Sequence, residues 1–125
     1  MKLSNKGFTL LELVVAVGIL LIVITGLLYA FINCILMNES NNNLVTAAND
    51  AQYVLEQIKA RTYDDIDDFI NNFNPNEFNN LKGETITFPD TTIGTSIATI
   101  IVNVRWTERQ RVRDFRLSTR VARTG

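Results

Sequence analysis

The chain contains no histidine and only one cysteine, Cys34, among its 125 residues. The lack of histidine removes the commonest general base and the commonest transition-metal ligand, and no serine or cysteine has neighbours typical of an activated nucleophile. A single cysteine cannot form an intrachain disulfide bond. We expect Cys34 to be a small buried apolar side chain, with an intermolecular disulfide or lipidation as the alternatives. We therefore expect no enzymatic activity, no cofactor and no metal site.

Charge is almost absent from one long stretch near the N-terminus. Residues 8–32 are predominantly apolar and carry one charged side chain, Glu12. As a helix that rises about 1.5 Å per residue, this stretch would extend roughly 37 Å, enough to cross a hydrocarbon core of about 30 Å with some tilt. The positive charges before it are Lys2, Lys6 and the α-amine, which place the N-terminus in the cytoplasm. We expect a single-pass protein of the cytoplasmic (inner) membrane with its C-terminal part outside.

Glu12 is unusual, because a charged side chain at the centre of a membrane helix costs about 2.5 to 3.5 kcal/mol and usually has a partner. Residues 6–13, Lys-Gly-Phe-Thr-Leu-Leu-Glu-Leu, resemble the prepilin N-terminal signature of type IV pilins and type II secretion pseudopilins. The resemblance extends to about residue 32. It implies that prepilin peptidase cuts between Gly7 and Phe8 and methylates the amine of Phe8, and that Glu12 docks the subunit into a helical filament.

Cleavage after Gly7 would create an ammonium group on Phe8, about 6 Å along the helix axis from Glu12. The carboxylate could then pair within its own chain, or with the amine of a neighbouring chain, which would cancel two buried charges and set the axial register. An ordinary secretory signal would have a shorter apolar region, of about 7 to 15 residues, and an Ala-x-Ala-like site, which residues 33–35 do not resemble. A plain single-pass anchor with a chance glutamate is the alternative.

After the membrane segment, apolar side chains recur at steps of three and four, at Leu44, Ala48, Ala51, Leu55 and Ile58. This spacing predicts one face of a helix that runs to about Arg61. Residues 38–43 contain no proline or glycine. We therefore predict one helix from Phe8 to about Arg61, roughly 80 Å long.

A second, shorter helix is predicted over residues 64–73. Four apolar side chains share one of its faces, namely Ile66, Phe69, Ile70 and Phe73. The sequence Asn74-Pro75-Asn76 ends it. Four aspartates fall on the opposite face, Asp64, Asp65, Asp67 and Asp68. Because they lack the glycine-containing loop and the alternating ligands of an EF-hand, a solvated acidic face is preferred over a Ca²⁺ site.

Strand patterns come late in the chain. Residues 84–88 are β-prone, and residues 98–106 alternate so that one face is wholly apolar and ends at Trp106. A turn at 107–110 leads to a second alternating run with Phe115, Leu117, Thr119 and Val121 on one face. This apolar sheet face needs the helices as a cover. The expected fold is α+β and pilin-like, with a long N-terminal spine helix, the anchor in its first half, packed by a small antiparallel β-sheet.

The two strands resemble those of small minor pilins and of minor pseudopilins of secretion systems. One cysteine cannot form the disulfide-bounded C-terminal loop that is usual in major adhesive pilins. The resemblance implies a leader at 1–7, a transmembrane or filament-core helix at 8–32 and an exported head at 33–125. It also implies a minor pilin or pseudopilin that assembles into, or primes, a type IV pilus or a type II secretion pseudopilus. Its partners would be prepilin peptidase, other pilin or pseudopilin subunits, the inner-membrane assembly platform and, before assembly, membrane lipid.

Seven arginines lie between residues 105 and 123. Four of them are candidates for contact with DNA or a partner, namely Arg111, Arg113, Arg116 and Arg120. A DNA-contacting minor pilin of a DNA-uptake (competence) filament is the alternative function, in which these arginines bind phosphates. The preferred interpretation is that they protect a strand edge from aggregation and form salt bridges to residues 64–68 or to a neighbouring subunit. Nucleic acid is therefore not the expected partner.

Overall fold

The computed structural model describes residues 7–124, so the leader positions Lys2 and Lys6 lie outside the described residues. Within 7–124 the chain forms two helices and four strands. Their bounds are α1 Leu10–Lys59, α2 Asp65–Asn72, β1 Thr85–Thr87, β2 Thr92–Ile93, β3 Ile97–Glu108 and β4 Arg111–Ala122. A long N-terminal helix followed by a small antiparallel sheet confirms the predicted α+β fold. Both predicted helices are found, with ends one or two residues from the predicted ones.

The chain divides into two compact units between Glu39 and Ser40. In the first unit, α1 exposes its large apolar side chains on every side, for example Leu10 at 83% and Ile22 at 74%. Among the described residues, α1 is the one helix with an 18-residue window apolar enough to cross a membrane. A helix that is apolar all round needs lipid or other helices to cover it. This finding fits a single-pass inner-membrane protein.

Cys34 belongs to the first unit and is an exposed free thiol. The expectation that its side chain is buried is therefore wrong for the isolated chain. The physical reason is that no other described element belongs to this unit, so nothing there covers the helix surface.

The second unit, called the head below, contains α1 from Ser40 onward, α2 and the sheet. The predicted apolar face of α1 is confirmed for Ala51, Leu55 and Ile58, which are buried. It is wrong for Leu44, which is 45% exposed. Leu44 lies almost one turn before the first buried residue of α1, where it lines a shallow surface cavity with Trp106 at the end of the sheet. The spacing of apolar residues predicted which face of α1 is buried, but not the residue at which burial begins.

Strand β3 is the centre of the sheet. It pairs antiparallel with β4 along one edge and with β1 and β2 along the other. The hairpin turn has only two residues, Arg109 and Gln110, with φ of 47° and 65°. Positive φ at both central positions is the requirement of a type I′ turn, whose twist matches that of the strands. The predicted turn at 107–110 is thus two residues longer than the observed one, and β2 was not predicted.

The core of the head lies between α1, α2 and the inner face of the sheet. The inward alternation predicted for β3 is confirmed, since its buried apolar residues are Ala98, Ile100, Val102, Val104 and Trp106. Strand β4 adds Phe115, Leu117 and Val121, which are half-buried. Helix α2 adds Ile66, which is fully buried. Its other apolar residues pack against the same core, and its aspartates are exposed, as predicted.

Candidate functional site

Helix α1 begins at Leu10 because Thr9 caps it. The Thr9 Oγ1 atom accepts a hydrogen bond from the backbone N–H of Glu12 at 3.3 Å, and the Thr9 carbonyl accepts one from Leu13 at 3.1 Å. A threonine at this position is a typical N-cap, because its side-chain oxygen satisfies one of the backbone donors that a helix start leaves unpaired. A threonine directly before the apolar run was the sequence signal for this cap.

The cap leaves the Gly7-Phe8 peptide bond outside the helix. Neither residue has regular secondary structure, and Phe8 is 81% exposed. A methyl group placed on Gly7 would meet no described atom within 4 Å. A peptidase could therefore take this bond into its cleft without first breaking helical hydrogen bonds.

Glu12 lies in the first turn of α1 and is exposed. A negative charge at this position is favoured by the partial positive charge of the helix N-terminus. Its carboxylate has no ion-pair partner among the described residues. Thr9 thus caps the backbone N–H of Glu12, while the Glu12 charge is available to an external cation.

The hairpin separates the four candidate arginines into two pairs. In β4, Arg111 and Arg113 are in phase with the inward-facing Phe115, whereas Arg116 and Arg120 are out of phase and lie on the outer face. The structure therefore does not bring the four side chains together on one surface.

Arginines near the end of the chain form ion pairs within the head. Arg116 contacts Asp114 at 3.9 Å, and Arg123 contacts Asp64 at 2.9 Å. The second contact is a salt bridge of the kind predicted between the arginines and the acidic face of α2. Both partners of it are at least half exposed, so it contributes little to stability. Arg113 pairs with a carboxylate that is buried.

That carboxylate is Glu108, whose side chain is only 4% exposed. It accepts hydrogen bonds from Asn43 Nδ2 at 2.9 Å, from Ser40 Oγ at 3.0 Å and from Arg113 Nε at 3.3 Å. The hydrogen bond from Asn43 is the largest cause of a lowered pKa of Glu108, aided by Ser40 and by the charge of Arg113, whereas burial opposes it. Glu108 continues the inward phase of β3 after Trp106, which was the sequence signal that could have found it. It fastens α1 to the sheet.

The acidic side chains of α2 are exposed and form no enclosed site. Among the described residues, no group of three or more acidic or cysteine side chains is arranged to hold a metal ion.

A comparison with protein families matches residues 2–28 to the prokaryotic N-terminal methylation motif. Searches of curated proteins and of solved structures gave no match. The matched residues include Gly7, Phe8 and Glu12, the three positions of the expected processing and docking site. The motif implies processing by prepilin peptidase and assembly of pilin subunits, and the proteins that share it are structural rather than enzymatic. Residues 2–28 of the chain thus carry the N-terminal methylation motif, which is the signature of type IV pilins and pseudopilins.

Proposed function

We propose that the chain is a minor pilin or pseudopilin, a structural subunit cut after Gly7, methylated on Phe8 and assembled through α1. The filament is a type IV pilus or a type II secretion pseudopilus. The observation that carries the proposal is the geometry at the start of α1, where an accessible Gly7-Phe8 bond precedes a capped helix with an acidic first turn.

Before assembly, residues 8–32 lie in the cytoplasmic membrane and residues 33–125 form the exported part, with the N-terminus in the cytoplasm. In the filament, neighbouring helices replace lipid around the apolar surface of α1. Glu12 then enters an environment of low dielectric constant, where an unpaired carboxylate is costly. The amine that cleavage creates on Phe8 supplies a cation at the same depth, and pairing between neighbouring subunits fixes their register.

The cut site is tested by intact mass and N-terminal sequence of the protein recovered from its native membrane. We expect a chain that starts at methylated Phe8. Gly7→Leu should leave the longer precursor, and since this side chain would meet no described atom, the loss would reflect the peptidase and not the fold. Gly18→Leu is the matched control, because Gly18 is equally unobstructed, and it should mature normally. A wild-type chain that still starts at Met1 beside an active peptidase contradicts the proposal.

The docking role of Glu12 is tested by separating its charge from its capping geometry. Glu12→Gln keeps the backbone N–H that Thr9 caps but removes the charge, whereas Thr9→Ala removes the capping oxygen and keeps the charge. We expect Glu12→Gln to insert into the membrane normally and to be lost from filaments. Thr9→Ala should still be incorporated. Normal incorporation of Glu12→Gln, or an equal loss in both variants, would count against pairing through charge.

The DNA-contacting alternative has weaker support. The candidate arginines lie on two faces of the sheet, and both Arg113 and Arg116 already contact carboxylates of the head. The test is binding of the full chain, in detergent micelles, to duplex DNA between about 50 and about 200 mM salt. Phosphate contacts would make the affinity fall steeply over this range, and we expect weak binding with a flat response.

A further inference from the structure

Two carboxyl groups meet inside the head, away from the N-terminal site. Asp50 lies on the inward face of α1 and is 8% exposed, and Glu84, directly before β1, is 5% exposed. Asn80 brings the two carboxyl groups together, since its backbone N–H donates to Glu84 and its side-chain amide donates to Asp50. Two ionised carboxylates in contact repel each other strongly where water is excluded, so such pairs hold one proton between them.

Asp50 and Glu84 have four carboxyl oxygens, and three of them accept hydrogen bonds from neighbouring N–H groups. Asn80 Nδ2 donates to both oxygens of Asp50, at 3.0 and 3.1 Å. The backbone N–H groups of Asn80 and Leu81 donate to Glu84 Oε2, at 2.9 and 3.0 Å. Gly83, with a φ of 64° that glycine adopts readily, makes the turn that folds the Glu84 side chain back onto these amides.

The fourth oxygen, Glu84 Oε1, is buried and has no hydrogen-bond partner. A proton on Glu84 would let its hydroxyl donate to Asp50, which would satisfy both groups. Burial raises the pKa of Glu84 above its ordinary value of 4.5, the backbone N–H of Leu81 opposes this, and the contact with Asp50 raises it further. No lysine or arginine of the described residues forms an ion pair with either carboxyl group.

A calcium ion fits this place poorly. Calcium takes six to eight oxygen ligands, whereas the amide and backbone donors already bind three of the carboxyl oxygens here. A proton needs only one oxygen to carry it and one to accept its hydrogen bond.

We propose that the buried Glu84 carboxyl keeps a proton, which it donates to Asp50, and that this proton is a pH-sensitive latch that fastens residues 73–84 to α1. The same segment contacts α1 through Phe78, whose ring meets the Tyr53 ring edge-on with centroids 6.0 Å apart. Removing the proton leaves two adjacent negative charges at the point where the segment is held. The inference concerns the head alone and does not depend on the proposed function.

The sign of the pH dependence follows from the raised pKa of Glu84. The folded head binds a proton that the unfolded chain releases near pH 4.5, so the stabilisation is complete below that value and is lost as the pH rises through the folded pKa. Over that range, the protection of residues 73–84 against hydrogen exchange should fall by up to about tenfold for each pH unit, after correction for the intrinsic exchange rate.

The experiment is hydrogen exchange of the full chain in detergent micelles between about pH 4.5 and about pH 8. Wild type should lose protection at residues 73–84 as the pH rises. Glu84→Gln should keep its protection at every pH, because the amide stays neutral and can still donate to Asp50. Glu77→Gln is the matched control, since Glu77 is exposed in the same segment, and it should behave as wild type. A flat wild-type profile, or a Glu84→Gln profile that still falls with pH, overturns the proposal.

A second measurement uses only the wild-type chain, so it does not depend on how the variants fold. The carboxyl carbon of Glu84, followed by NMR in isotope-labelled protein, should report a group that ionises above pH 4.5. Ionisation at or below that value overturns the proposal. So does a rise in protection on adding Ca²⁺ at neutral pH, which would show a metal site instead.

Discussion

Val102 and Val112 provide a matched test of the packing in the head. Val102 is fully buried near the centre of β3, whereas Val112, near the start of β4, is 65% exposed. Valine to threonine keeps the branched shape and exchanges one methyl group for a hydroxyl group. In the core, a hydroxyl group without a hydrogen-bond partner costs about 1 to 3 kcal/mol. On the surface, the same change should stay within about 0.5 kcal/mol.

The two free energies translate into clearly different melting temperatures. For a head of about 85 residues, 1 kcal/mol corresponds to about 4 to 8 °C in Tm, so Val102→Thr should lower the Tm by roughly 5 to 20 °C. The fluorescence of Trp106, the single tryptophan of the chain, reports unfolding of the head without interference from the membrane segment. The full chain in detergent micelles is heated while this emission is recorded. Equal Tm values for the two variants would refute the assignment of the sheet faces.

Three further predictions concern single side chains of the head. Trp106→Ala should cost about 3 to 5 kcal/mol, as for a large core residue, and an unchanged melting temperature would show that this side chain is not core. Because the pKa of Glu108 is lowered, its stabilisation is present above pH 4.5 and is lost as the pH falls through the folded pKa. Glu108→Gln should therefore reduce the acid loss of Tm that wild type shows; an equal acid loss would exclude this carboxylate as its cause. Arg123→Ala should change stability by less than about 1 kcal/mol in chemical denaturation, because its salt bridge to Asp64 is exposed.

The helices and the hairpin could be predicted because they follow from local periodicity. The predicted spine helix, Phe8 to about Arg61, differs from the observed Leu10–Lys59 by two residues at each end. The helix starts two residues later than predicted because Thr9 caps it. The Thr9 side chain accepts a hydrogen bond from the backbone N–H of Glu12. The alternation of apolar and polar residues in β3 predicted its buried face as far as Trp106. Successive side chains of a strand point to opposite faces, and only one face of this strand is covered.

The contacts between elements could not be predicted in this way. Asp50 and Glu84 are 34 positions apart, and only the folded head brings the two carboxyl groups together. A hint was available, since Asp50 lies on the apolar arc of α1 between Ala47 and Val54. The two-residue strand β2 is too short to show a pattern. The position of Arg116 and Arg120 on the outer face of β4, by contrast, follows from strand parity and could be predicted from the sequence.

The N-terminal site could be predicted from a sequence motif, and not from the fold. The proposed roles of Gly7, Phe8 and Glu12 depend on a peptidase and on neighbouring subunits, so the fold of one chain does not determine them. The structure adds the cap at Thr9, which separates the cut site from the helix. Because Thr9 provides the cap and Glu12 the charge, Thr9→Ala and Glu12→Gln remove the two features separately when docking is tested.

Two polar contacts hold α1 in the head, and their pH dependences have opposite signs. Glu108 binds Ser40 and Asn43, and Glu84 meets Asp50 about 15 Å further along the helix. The lowered pKa of Glu108 destabilises the head below pH 4.5, and the raised pKa of Glu84 destabilises it above pH 4.5. Together they should give a stability maximum near that pH. Glu108→Gln should remove the acid side of this maximum and Glu84→Gln the alkaline side, and since the two carboxyl groups have no partner in common, the double variant should lose both sides additively.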